Sequence, residues 1–210
     1  MNKKLFFIAF LMGLFCPKIN AQVEDFEIGI KFGLNATHLE DKAVDSRTSI
    51  HLGLAAEFPI NEYLGLQPEL LYSFQGFSTG SIEPNFEEEI LKIDYVILPV
   101  MLKYYPFYVV PGLSVEVGPQ IGYLTSATLQ RKNVFDGGVT ETSDVDYGEF
   151  ISDVDIAVNF GFGYQFPIGA FFQVRYNLGV TNIYETSPFG ENTSISFENS
   201  VFQFSTGIKF

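Results

Sequence analysis

Apolar residues fall on every second position of this chain, over eight segments of about 9 to 13 residues, and few folds can use such a pattern. The first segment sets Phe26, Ile28, Ile30, Phe32 and Leu34 against Glu27, Gly29, Lys31, Gly33 and Asn35. A period of two is that of a β-strand with one apolar face. It returns at Ile50, Leu52, Leu54, Ala56 and Phe58, and then at Leu64, Leu66, Leu70, Tyr72 and Phe74. A fourth segment carries Val96, Leu98, Val100, Leu102 and Tyr104, and a fifth Leu113, Val115, Val117, Ile121 and Tyr123. The sixth is the cleanest, with Val154, Ile156, Val158, Phe160, Phe162, Tyr164 and Phe166 on one face. Phe172, Val174, Tyr176, Leu178 and Val180 mark the seventh, and Phe202, Phe204, Ile208 and Phe210 the last.

Alternation alone does not separate a membrane barrel from a soluble sandwich, because each strand of a sandwich also buries one face. Length separates them: a tilted strand needs about 9–11 residues to cross the hydrocarbon layer, while globular strands average about 5–6. The connections point the same way. Those after the second, fourth and sixth segments are short and rich in turn residues, at Pro59-Ile60-Asn61-Glu62, Pro106 to Gly112 and Pro167-Ile168-Gly169. Those after the first, third, fifth and seventh are longer and polar, at about residues 37–48, 76–92, 126–151 and 182–199. Short periplasmic turns alternating with long outer loops are the arrangement of outer-membrane barrels. The expected fold is therefore all-β: an eight-stranded antiparallel up-and-down transmembrane barrel with both termini in the periplasm.

With the large apolar side chains toward lipid, the opposite parity lines the lumen, and eight strands enclose a space that side chains fill. This parity sends Glu27, Lys31, His51, Glu57, Glu69, Lys103, Glu116, Asp155, Arg175 and Lys209 inward. Charges of both signs persist in such a place only when paired or hydrogen-bonded. An internal ionic network is therefore expected around Arg175 and Lys103, drawing in Lys31, Glu57, Glu69, Glu116 and Asp155, with a structural role.

The N-terminus reads Met1-Asn2-Lys3-Lys4, an apolar run from Leu5 to Phe15, and then Pro17-Lys18-Ile19-Asn20-Ala21. That is the pattern of a secretory signal peptide, expected to be cleaved after Ala21 and to leave residues 22–210 as the barrel domain. Eleven apolar residues are too few for a membrane-spanning helix. Phe15 is too bulky for a lipidation signal at Cys16, the lone cysteine. Its loss with the signal leaves no disulfide framework, thiolate metal site or thiol nucleophile. Three of the 12 basic residues also leave, so nine face 25 acidic residues and the mature net charge is −16. Such a chain repels nucleic acid.

Catalysis has little to stand on. There are two histidines: His51 in mid-strand on the lumen side, and His38 in the first outer connection near Glu40 and Asp41, with no serine close by in sequence. Glu87-Glu88-Glu89 and the group Asp144, Asp146 and Glu149 have no calcium-loop spacing and read as a solvated acidic surface. No phosphate-binding glycine loop is present, and no cofactor is expected. Asp136-Gly137-Gly138 reads as the tip of a hairpin standing above the membrane, a contact surface.

The stretch Asp94-Tyr95-Val96-Ile97-Leu98-Pro99-Val100-Met101-Leu102-Lys103-Tyr104 resembles the aromatic, apolar, Pro, apolar, Lys-Tyr strand of PorT-like outer-membrane barrels of Bacteroidetes-type bacteria. Gly118 to Leu124, Gly161 to Phe166, Arg175 to Ile183 and Gly207 to Phe210 are similar to that family's later strands, so the resemblance covers nearly all of the mature chain. It implies an outer-membrane barrel without an assigned active site. The family's namesake implies an alternative role as accessory subunit of a type IX-like secretion machine, with subunits of that complex as partners. The terminal Phe210 resembles the C-terminal aromatic signal read by the barrel-assembly machinery, a transient partner beside the membrane lipid itself.

Overall fold

The computed structural model describes residues 26–38, 44–80, 86–106, 110–135, 139–182 and 199–210. The predicted signal peptide and the Asp136-Gly137-Gly138 tip lie outside them, as do Glu40 and Asp41. Nine strands follow one another: β1 (Glu27–His38), β2 (Val44–Pro59), β3 (Leu64–Gly80), β4 (Phe86–Tyr104), β5 (Leu113–Phe135), β6 (Val139–Asp146), β7 (Val154–Gln165), β8 (Ala170–Gly179) and β9 (Ser200–Lys209). A single 3₁₀ turn, Gly148–Phe150, lies between β6 and β7.

Eight of the strands close a ring. All neighbours pair antiparallel in the order β1, β2, β3, β4, β5, β7, β8, β9, and β9 returns to β1. The seam is held by reciprocal hydrogen bonds between Ile28 and Phe210, from Ile28 N to Phe210 O at 3.1 Å and from Phe210 N to Ile28 O at 2.9 Å. Closure leaves no unpaired edge within the ring, which a backbone inside lipid requires. The short connections 60–63, 105–112 and 166–169 share one end with the two ring termini. In the last of these, Gly169 takes the positive φ of 82° that the reversal demands.

The parity is the one the alternation predicts. In β1, Ile28, Ile30, Phe32 and Leu34 are 43–59% exposed on the outer wall, while Lys31 between them and Asn35 after them are fully buried. The same outward apolar belt continues through Leu52 and Leu54, Val115 and Val117, Phe160 and Phe162, Phe172 and Val174, and Phe202 and Phe204. An apolar surface this continuous is stable only against lipid.

The strands continue far beyond the predicted loops. Instead of the outer loops expected at 76–92 and 126–151, β3 runs on to Gly80, β4 begins at Phe86 and β5 reaches Phe135, 23 residues in all. β5 pairs with β7 over Leu113–Tyr123 and with β6 over Thr128–Phe135, so its outer half has a different partner from its membrane half. Between them Thr125 is an extra residue, since Asp94 pairs with Ser126 and Tyr95 with Leu124. This bulge marks the water line. Below it the outward residues are Val115, Val117, Ile121 and Tyr123. Above it they are Ser126, Thr128 and Gln130, and the extension is wetted outside the membrane. The correction places Glu87, Glu88 and Glu89 within β4, and Asp144 and Asp146 within β6, rather than in loops.

Candidate functional site

At the turn end the lumen is crossed by a chain of alternating charges. Lys31 on β1 donates to Glu69 Oε2 on β3 at 3.0 Å. Arg175 on β8 grips the same carboxylate with both terminal nitrogens, at 2.9 and 2.7 Å, and sends Nε to Glu116 Oε2 on β5 at 2.9 Å. Lys103 on β4 lies 3.7 Å from Glu116 Oε1 and donates to Glu57 Oε2 on β2 at 2.9 Å. Lys209 on β9 donates to Glu57 as well, and its Nζ is 3.9 Å from Glu27 at the mouth.

Seven of the eight ring strands thus send a charged group into this chain, and the eighth makes room for it at this height. On β7, a Cβ at Gly163 would lie 2.5 Å from Glu116 Oε1, and one at Gly161 would lie 2.7 Å from Arg175 Cγ. Four cations face three buried carboxylates and the half-exposed Glu27, so the assembly is neutral. Each of Glu57, Glu69 and Glu116 touches two cations, which is the compensation a buried carboxylate needs. Neutral groups use the remaining valences. Gln67 joins Lys103 to Glu69 at 3.2 and 2.5 Å, and Ser114 and Gln173 donate to Glu116 at 3.1 and 3.0 Å.

Six of the seven residues singled out from the sequence for this network therefore meet: Lys31, Glu57, Glu69, Lys103, Glu116 and Arg175. Asp155 does not. It is the second residue of β7, six residues before Gly161, which is about 20 Å along a strand. Its described partner is Thr181, whose hydroxyl donates at 2.9 Å. Shared parity put Asp155 in the same set; its height in the barrel sets it apart. Sequence reasoning missed Tyr105, whose hydroxyl donates to Glu57 from the turn after β4. It also passed over Gln67, Ser114 and Gln173, which follow the lumen parity but carry no charge to draw attention.

Above the charges lies a belt of amides and hydroxyls centred on His51. Its Nδ1 is 2.7 Å from Asn35 Oδ1 and its Nε2 is 2.9 Å from Ser205 Oγ. The Asn35 amide nitrogen is occupied by Ser73 Oγ at 3.0 Å and Phe74 O at 2.8 Å, so Oδ1 faces the imidazole and Nδ1 carries the proton. Ser205 then donates to Nε2. Gly33 is required here, because a Cβ would sit 2.7 Å from the ring carbon Cε1. The order of hydroxyl, imidazole and amide is that of nucleophile, base and orienting group. All three residues are nonetheless 5% exposed or less, and they pack the middle of the lumen.

One wall of the outer lumen is apolar, against the parity expectation, although buried Ser73 and Gln75 pair with Tyr95 and Ile93 of that wall. Leu71, Phe77, Leu91, Ile93, Tyr95, Ile97, Ala127, Leu129 and Ile151 form one buried cluster on the inner face of β3, β4 and β5. Ile151 covers it from the segment after the 3₁₀ turn. Backbone bonds from Tyr147 N to Ala127 O at 3.0 Å and from Leu124 N to Asp153 O at 2.9 Å fix that segment.

A closed ring of eight antiparallel strands, apolar outside and charged within, defines an integral β-barrel of the outer membrane. The family profile described as outer membrane protein beta-barrel domain matches residues 20–185, and the chain belongs to that family. No curated protein matches it. Among solved structures it is similar to neisserial surface protein A, with 11% identity over 88% of this chain and 97% of that one and a TM-score of 0.45. It is also similar to CarO of Acinetobacter baumannii, with 12% identity, 85% and 96% coverage and a TM-score of 0.46. Outer membrane protein W of E. coli gives 16% identity, 88% and 97% coverage and a TM-score of 0.42.

Proposed function

We propose that this protein is a non-enzymatic outer-membrane barrel with a plugged lumen, acting as a contact surface through the acidic strand extension above its outer rim. The observation that carries the reading is the neutral chain from Lys31 to Glu27, which crosses the lumen at the turn end with groups that satisfy one another. Such a network serves packing and leaves none of its own charged groups free for chemistry. The hydrogen-bonded belt of His51, Asn35 and Ser205 serves packing in the same way.

The extension supplies the contact surface: β6 pairs with β5 alone and carries Asp144 and Asp146 exposed. The terminal Phe210, 75% exposed on the outer wall, suits recognition by the barrel-assembly machinery. A narrower reading, an accessory subunit of a type IX-like export machine, has the PorT-like strand around Pro99 and Lys103 as its support.

Extraction in mild detergent, with native mass measured and co-purifying chains identified, tests the reading. A lone barrel is the expected result. A large complex with periplasmic and membrane subunits, together with loss of secreted proteins on gene deletion, would replace it with the export role.

A further inference from the structure

We infer that the outer lumen is a binding site for a small apolar cation, an alkyl- or arylammonium, with Asp155 as its counter-ion. Asp155 is 3% exposed, yet no described cation approaches it. Every other carboxylate buried in this lumen has two. Its hydrogen-bond partner Thr181 already takes the Ile156 N–H at 2.9 Å, so the hydroxyl anchors Asp155 to the strand without neutralising it. Of the undescribed outer stretches, 183–198, which joins β8 to β9, contains no Lys or Arg, and 39–43, which joins β1 to β2, contains Lys42.

A second buried polar group lies in the same region. Tyr95 is 1% exposed, and its hydroxyl has no hydrogen-bond partner among the described residues. Gly122 lies in register between Ile97 and Asp155 and brings the two sides together. A Cβ there would be 3.5 Å from Asp155 Cβ, 3.5 Å from Tyr95 Cδ1 and 3.3 Å from Ile97 Cγ2. Asp155 and the Tyr95 ring therefore meet over a residue that has no side chain.

The surroundings select the kind of cation. A hard metal ion takes six or more oxygen ligands, and no group of three or more metal-binding side chains occurs among the described residues. An ammonium is satisfied by a carboxylate, a phenol oxygen and an aromatic face. Its hydrocarbon part would pack on Leu71, Ile93, Ile97 and Ala127, an apolar wall with a few convergent polar groups. Access is from outside: Asp155 is one residue from the start of β7, and Ile151 is the cap that must yield.

The test titrates the full barrel, refolded into detergent micelles, with benzylammonium and with benzyl alcohol as its neutral isostere, following heat by calorimetry. The ammonium is expected to bind about tenfold or more tightly than the alcohol. Asp155→Asn should remove that preference while leaving the alcohol's affinity within about twofold, and Tyr95→Phe should weaken the ammonium by a smaller factor. Equal affinity of the two compounds for the unmodified barrel, no binding of either, or a preference retained in Asp155→Asn would each overturn the inference. The comparison on unmodified protein stands even where a variant fails to refold.

Discussion

The two ends of the lumen bury carboxylates on opposite terms. At the turn end, Glu57, Glu69 and Glu116 each sit between two cations, and the amides around them take up the spare hydrogen-bonding capacity. At the outer end, Asp155 has a threonine hydroxyl and an apolar neighbourhood. The first arrangement is a closed structural unit, which loses stability if any member is removed. The second is a buried charge that no described cation compensates. On the proposed readings, their difference separates the part of the lumen that serves packing from the part that has capacity to bind.

Arg175→Met breaks this contrast most severely. It strips one cation from both Glu69 and Glu116 and should destabilise the barrel by about 3–5 kcal/mol in denaturant unfolding followed by the heat-dependent gel shift. Val174→Asp and Val158→Asp place a charge against lipid and should cost up to about 3 kcal/mol according to depth. If both variants assemble as well as the parent, the inside–outside assignment fails. Asp155→Asn should have the opposite sign to Arg175→Met, leaving stability unchanged or raising it by about 1 kcal/mol, because it relieves an unpaired buried charge. A loss comparable with that of Arg175→Met would erase the distinction between the two ends. Deleting residues 132–142 from the β5–β6 hairpin should change barrel stability by no more than about 0.5 kcal/mol, since this segment stands above the membrane.

The membrane part of the fold was legible because lipid outside and polar groups inside impose a strict period of two. Phe160, Phe162 and Tyr164 point outward with Gly161 and Gly163 between them, as the sequence pattern requires. Above the water line that constraint disappears. From Ser126 to Phe135 the chain reads SATLQRKNVF, where a strand wetted on its outer face has no need of apolar residues there, and it passed for a loop. The inner apolar cluster was hidden for a related reason. Ile93, Tyr95 and Ile97 share the parity of Lys103, and only their height in the barrel, set by register, gives them a dry lumen. Pairings such as Ser205 with His51, 154 residues apart, follow from ring closure and have no local signal in the sequence.

Conductance across a planar bilayer tests the proposed turn-end plug directly. On the proposed reading, in which Arg175, Lys103 and their carboxylates close the lumen, the unmodified barrel, inserted alone, should show no steady current above the bilayer's own leak. A stable ohmic channel in the unmodified protein would contradict the plugged lumen and make the charged chain the lining of a pore.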